Sequence, residues 1–169
     1  LRFLKLAPNA NVLDCGCGGG ANIKRLLKKC PRGSVTGLDY SPVSVEKSKK
    51  VNQTAIAEGR CAVLQGSVAE LPFKTEEFDT VTAFETIYFW PDILQSFQEV
   101  YRVLKPGGTF FICNESNGDT DKDEKWTEII DGMTIYTDTE LKAYLGQARF
   151  HELQIHKNQA GWLCITARK

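Results

Sequence analysis

The stretch VLDCGCGGGAN, residues 12–22, ends an apolar run on a carboxylate, Asp14, and then spends four glycines in six residues. Glycine-rich turns after a strand let backbone approach a bound cofactor closely. Gly16, Gly18 and Ala21 satisfy the loose dinucleotide pattern G-x-G-x-x-G/A, and Asp39 lies at the distance where such folds bind a ribose. A nicotinamide or flavin enzyme is therefore the obvious first reading. Asp14 argues against it: a pyrophosphate at this turn seeks N–H donors and positive dipole, and a carboxylate at the strand end repels it. The turn asks for a ligand with cationic character at the loop mouth.

S-adenosyl-L-methionine has that character, because its ammonium and sulfonium outweigh its one carboxylate. An acceptor-only side chain at Asp14 attracts it, directly or through water. The alternative role for Asp14, capping the turn amides, leaves the surrounding glycines without a purpose.

The elements that must position these groups alternate. NVLDCG reads as a strand, and Ile23, Leu26, Leu27 and Cys30 then share one helical face until Pro31 and Gly33. SVTGLD is a second strand. Ser41 caps a helix with Pro42 in its first turn, running through SPVSVEKSKKVNQTAIAEG. CAVLQG and DTVTAFE are strands three and four. Ile93, Phe97, Val100, Tyr101 and Leu104 mark an amphipathic helix ended by Lys105-Pro106-Gly107-Gly108, and TFFICNE is strand five. Thr137 and Glu140 form a capping box before another helix. HELQIHKN and WLCITARK make a hairpin turning near Gly161, too tight a connection for a parallel crossover. Alternation of strand and helix predicts an α/β fold with a doubly wound, mostly parallel sheet between helical layers, closing on an antiparallel strand.

VLDCGCGGG resembles motif I of the class I S-adenosylmethionine-dependent methyltransferases. The likeness continues in family order through SVTGLDYS, LQGSVAELPF, FDTVTAFETIYFWPD and EVYRVLKPGGTFF, and extends to the ITARK ending. It is most similar to the small-molecule group with an E-x-x-R-V-L-K-P-G-G segment. The resemblance implies a seven-stranded Rossmann-like sheet and one cofactor-binding domain over residues 1–169. Few residues precede the glycine loop, where relatives commonly place a helix or two, so N-terminal helices are expected to be lacking.

Site roles follow from the same resemblance. Gly16, Cys17, Gly18 and Gly20 pass close to the methionine part of the cofactor. Asp39, at the end of strand two, suits the paired ribose hydroxyls, and Tyr40 either covers the adenine or packs at the sheet edge. Ser67 stands where relatives often carry Asp, leaving adenine contact to its hydroxyl or to the Val68 amide. The Phe84 carbonyl accepts from the cofactor ammonium. Glu85 is a candidate base if it faces the acceptor. Tyr88 and Phe89 fall where many relatives have a His pair, with Tyr88 expected in the pocket and Phe89 and Trp90 in packing. His151 and His156, five apart on one strand, are expected on opposite faces. The stretch 114–137 reads either as a lid or as a solvated loop entering a packed helix.

The remaining composition narrows the setting. The chain has 169 residues with 21 basic and 21 acidic side chains, so a polyanion is not the expected partner. No membrane-length apolar run or signal pattern occurs. The six cysteines read as reduced and cytoplasmic, and the Cys15–Cys17 spacing does not suit zinc. The reading is a cytoplasmic methyltransferase acting on a small molecule. The alternatives are an NAD(P)-dependent oxidoreductase on a related fold, and an S-adenosylmethionine-binding protein without catalysis.

Overall fold

The computed structural model describes residues 2–118, 121–158 and 162–169. Its centre is a seven-stranded sheet in the order β3-β2-β1-β4-β5-β7-β6. The strands are β1 (Asn11–Cys15), β2 (Ser34–Asp39), β3 (Cys61–Gln65), β4 (Phe78–Phe84), β5 (Leu104–Asn114), β6 (His151–Lys157) and β7 (Leu163–Arg168). The first five pair in parallel, and β7 runs antiparallel to both β5 and β6. The hairpin expected at the end of the chain therefore forms, with β7 rather than β6 inserted against β5. The turn expected near Gly161 lies outside the described residues.

Neighbouring residues on a strand point to opposite faces, and the core divides accordingly. Leu13, Val81, Phe110 and Ile112 join one cluster, packed with Phe97 and Val100 of α4 (Ile93–Val103) and Leu141 and Leu145 of α6 (Asp138–Gln147). Val12, Val35 and Phe111 join the other, packed with Ile23 and Leu26 of α1 (Ala21–Lys29) and Val45 of α2 (Pro42–Val51). Helices thus cover both faces, and β1 at the centre is almost wholly buried. The predicted capping box is present at Thr137 and Glu140, and Ser41 accepts from the Ser44 amide as an N-cap.

Three local expectations are corrected. The single helix expected over residues 41–59 breaks at Asn52 into α2 and the short α3 (Gln53–Ala57). The break has a cause: the Asn52 amide donates to the Gly20 carbonyl at 3.1 Å and the Ser48 carbonyl at 2.9 Å, anchoring the helix end to the glycine loop. Strand five begins at Leu104 rather than after Gly108. Its start pairs with Phe78, a register shift absorbs the Lys105–Gly108 segment, and Gly107 and Gly108 exchange backbone bonds with Lys169. The histidines share a face. His151 lies opposite Arg168 and His156 opposite Cys164, with a bulge between them where Glu152 takes a φ of 50°. One residue outside the alternation reverses the parity. They remain far apart: His151 is exposed, and His156 stacks on Phe3 at 3.9 Å.

Candidate functional site

Parallel sheets present their ligand groups at the carboxyl ends of the strands. Here the ends of β1, β2, β3 and β4 open onto a cavity of about 760 Å³. Its floor begins where β1 turns. The Gly16 and Cys17 amides both donate to the Leu38 carbonyl, at 2.8 and 3.0 Å, folding the glycine loop over the end of β2. Gly16 has a φ of 71°, and a Cβ there would run into the Thr86 side chain. Only glycine lets the β1 loop and the β4 exit meet this closely.

Asp39 sits at the junction. One carboxylate oxygen accepts from the Gly18 amide at 2.8 Å and the other from the Ser41 amide at 3.0 Å. Each oxygen keeps further acceptor capacity toward the cavity that Asp39 lines. Gly18, Tyr40, Ser67 and Val68 line the same cavity. Tyr40 is 77% exposed, so its ring is available as a cover rather than committed to packing. The Ser67 hydroxyl accepts from the Ala69 amide at 3.2 Å.

Not every predicted residue faces this space. Gly20 begins α1 with a φ of 79° and packs under the loop, where a Cβ would meet Ser48 and Asn52. Cys17 is buried, its Sγ 3.9 Å from the Ser48 Oγ, and burial pushes its thiol up to about 12. Both residues shape the loop from behind. The Phe84 ring joins the cluster with Phe111.

Asp14 is also enclosed. It lies between Gly37 of β2 and Thr82 of β4 in the sheet and is 1% exposed. Its Oδ1 accepts from the Thr82 hydroxyl at 2.7 Å, whereas Oδ2 is buried without a hydrogen-bond partner. Burial raises its pKa to about 7, the Thr82 bond opposes the rise, and Asp39 adds to it. A buried, half-satisfied carboxylate directly under the loop is a poor neighbour for a pyrophosphate and a good one for a cation.

On the far wall, Glu85 lines the cavity with a φ of 53°. Its amide donates to the Cys113 carbonyl at 3.0 Å, fixing it to the end of β5. Desolvation raises its carboxyl to about 7, against the hydrogen bonds from Tyr88 and the Glu115 backbone. Tyr88 and Phe89 exchange their expected places. The three residues Ile87–Phe89 form a single 3-10 turn, which buries Tyr88 and leaves Phe89 46% exposed on the cavity wall with Trp90. Tyr88 acts as a tie. Its hydroxyl donates to Glu85 at 3.2 Å or the Ser116 carbonyl at 3.3 Å and accepts from the Ser116 amide at 3.0 Å. Its carbonyl accepts from the Thr134 amide at 2.8 Å, which draws the chain after α5 (Asp121–Ile129) over the cavity.

That segment contributes Asp131 and Gly132 to the lining. Sequence reasoning missed them, as it missed Ser41, Ser44 and Thr86 as lining; the 114–137 stretch was the available signal, though its named residues were Trp126, Met133 and Tyr136. Three carboxylates, Asp39, Glu85 and Asp131, line the cavity, and no Lys, Arg or His does so among the described residues. The electrostatics ask for a cationic ligand and give a dinucleotide pyrophosphate no countercharge.

A family model described as a methyltransferase domain matches residues 13–112. The chain belongs to this methyltransferase-domain family, within the class I fold. It is similar to a cycloartenol-C-24-methyltransferase of Oryza sativa subsp. japonica, 35% identical over 109 residues, covering 64% of this chain and 31% of that protein. It is also similar to a demethylmenaquinone methyltransferase of Lactiplantibacillus plantarum, 40% identical over 116 residues, covering 68% and 48%. The chain thus matches under half the length of either relative. Among solved structures, the methyltransferase held in complex with the Haloferax volcanii Trm112 methyltransferase activator superposes with a TM-score of 0.88 at 23% identity, over 99% of this chain and 85% of that one. That likeness concerns the fold.

Proposed function

We propose that this chain is the S-adenosylmethionine-binding domain of a methyltransferase that alkylates a small molecule. The observation that carries the reading is the acidic cavity at the ends of β1, β2 and β4, with Asp14 buried beneath its loop. An NAD(P) enzyme on a related fold would need a different charge pattern here.

S-adenosylmethionine, when bound, supplies a methyl group on a sulfonium as the electrophile. The rest falls to the chain. Asp39 holds paired hydroxyls, the backbone at Ser67 and Val68 meets the base, and Tyr40 covers it. Gly16 and Gly18 permit the close approach of the amino-acid end, and the Phe84 carbonyl takes the ammonium. Asp14 supplies a negative potential from below. Phe89 and Trp90 give the acceptor an apolar wall, and the segment carrying Asp131 excludes water. Displacement in line gains from this alignment more than from any added group. Glu85 serves as general base where the acceptor is a hydroxyl or ammonium, and Tyr88 positions it.

The acceptor we favour is a small, largely apolar molecule, in keeping with the sterol and quinone enzymes named above. No helix among the described residues is long and apolar enough to cross a membrane. Balanced charge supports a small-molecule partner over nucleic acid, and the cysteine usage supports the cytoplasm.

The test is turnover. The chain is incubated with methyl-labelled S-adenosylmethionine and, separately, a reduced quinone, a sterol and a primary amine. S-adenosylhomocysteine forming in step with a labelled product is the expected result. Cofactor binding without transfer to any of the three would turn the reading to a binding protein.

A further inference from the structure

Cys113 of β5 and Cys164 of β7 are directly opposed in the antiparallel ladder, and their Sγ atoms are 3.1 Å apart. Opposed residues of antiparallel strands hold their Cα atoms roughly 4.5–5.5 Å apart, inside the span of a disulfide. The two sulfurs already stand within about 1 Å of bonding distance. Among the described residues no other pair of sulfurs is in hydrogen-bond contact. The cysteines also differ in access, since Cys113 is buried and Cys164 is only partly so.

We propose that Cys164 and Cys113 form a thiol–disulfide exchange site for small disulfides of the oxidised-glutathione class, with Cys164 as the attacking thiol and Cys113 as the resolving one. The Cys164 thiolate attacks one sulfur of the disulfide. The S–S bond breaks, and one thiol leaves with a proton. Cys113 then gives up its proton, attacks the Cys164 sulfur and releases the second thiol. Two protein thiols are oxidised by two electrons, and one disulfide is reduced to two thiols.

The chemistry around the pair fits this order. A hydrogen bond from Cys113 stabilises the Cys164 thiolate and lowers its pKa, against the pull of burial and of Glu85. Giving that hydrogen bond, together with its own burial, pushes the Cys113 thiol well up. The thiol with the better access and the lower pKa is the nucleophile of such a pair.

The position carries a consequence. The Cys113 carbonyl receives the Glu85 amide, so the bridge forms directly behind the cavity wall. It also closes the chain across 51 residues, enclosing α5, Asp131 and Gly132, α6 and β6. This inference is independent of the methyl-transfer reading.

The test uses the chain with all six cysteines. It is treated with excess oxidised glutathione, quenched with acid, alkylated, digested and analysed by mass spectrometry. The expected product has lost two hydrogens and gives a linked peptide pair containing Cys113 and Cys164, reversed by dithiothreitol. Cys113→Ala should stop at a glutathionyl adduct on Cys164, with folding checked by circular dichroism. In the untreated chain, iodoacetamide at pH 7 should label Cys164 at least tenfold faster than Cys61. Linkage of another cysteine pair, a wild-type chain halted at the mixed disulfide, or equal alkylation rates would each overturn the proposal.

Discussion

Asp14 lies buried beneath a site it does not line, and its charge state is the residue-scale test of the proposed cofactor. Its folded pKa of about 7 lies above the ordinary value, so the folded state holds a proton that the unfolded chain releases. Stability should therefore be fully present below pH 4 and decline as pH rises toward 7, by roughly 4 kcal/mol in total. Asp14→Asn should flatten that decline in urea titrations from pH 4 to 8. A bound cation favours the ionised form, so S-adenosylmethionine affinity should rise through pH 7 in the wild type, and rise less and remain weaker at pH 8 in Asp14→Asn. Asp39 belongs to the same scale. Asp39→Ala removes the acceptor of two backbone amides as well as the proposed ribose contact. We expect at least a tenfold loss of cofactor affinity by calorimetry, with a stability cost of about 1–3 kcal/mol from the orphaned amides. Glu85→Gln should leave cofactor affinity within twofold and abolish the rise in transfer rate centred near pH 7 that a carboxyl raised to about 7 gives the wild type. A retained rise would assign the proton step elsewhere.

At the scale of elements, the glycine loop is held from both sides, by Leu38 of β2 above and by Asn52 at the α2–α3 break below. Asn52→Ala should cost about 1–3 kcal/mol in chemical denaturation. It should also weaken S-adenosylmethionine severalfold, because it frees the Gly20 carbonyl and with it the start of α1. The loop, Asp39 and the alternation of strands with helices were legible from sequence, since each rests on contiguous residues: a strand, a glycine turn, an acidic strand end. What was not legible depends on contacts between distant segments. Asn52 interrupts a helical pattern through a partner 32 residues away. Ile87–Phe89 is a single turn, too short to show a period, so nothing local says that Tyr88 turns inward and Phe89 outward. The bulge at Glu152 hides in a strand with ordinary alternation, and Asp131 reaches the cavity because Thr134 bonds to Tyr88. Phe89→Ala should thus leave stability nearly unchanged, within about 0.5 kcal/mol, yet raise the acceptor KM. Tyr88→Phe should lower stability by about 1 kcal/mol.

Across the whole molecule, the fold places strand ends around a cavity and leaves the choice of ligand to charge. The chain as a whole is balanced at 21 basic and 21 acidic residues, but the cavity lining is not, and that contrast favours a sulfonium cofactor over a nicotinamide one on a related scaffold. The most direct measurement is calorimetric titration of the chain with S-adenosylmethionine, S-adenosylhomocysteine, NADH and NADPH at pH 8, where Asp14 and Glu85 are ionised. We expect micromolar binding of the first two and none of the nicotinamides. S-adenosylmethionine, with its extra positive charge, should lose more affinity than S-adenosylhomocysteine in Asp14→Asn. Binding of NADH or NADPH in place of the sulfur cofactors would contradict the proposed cofactor.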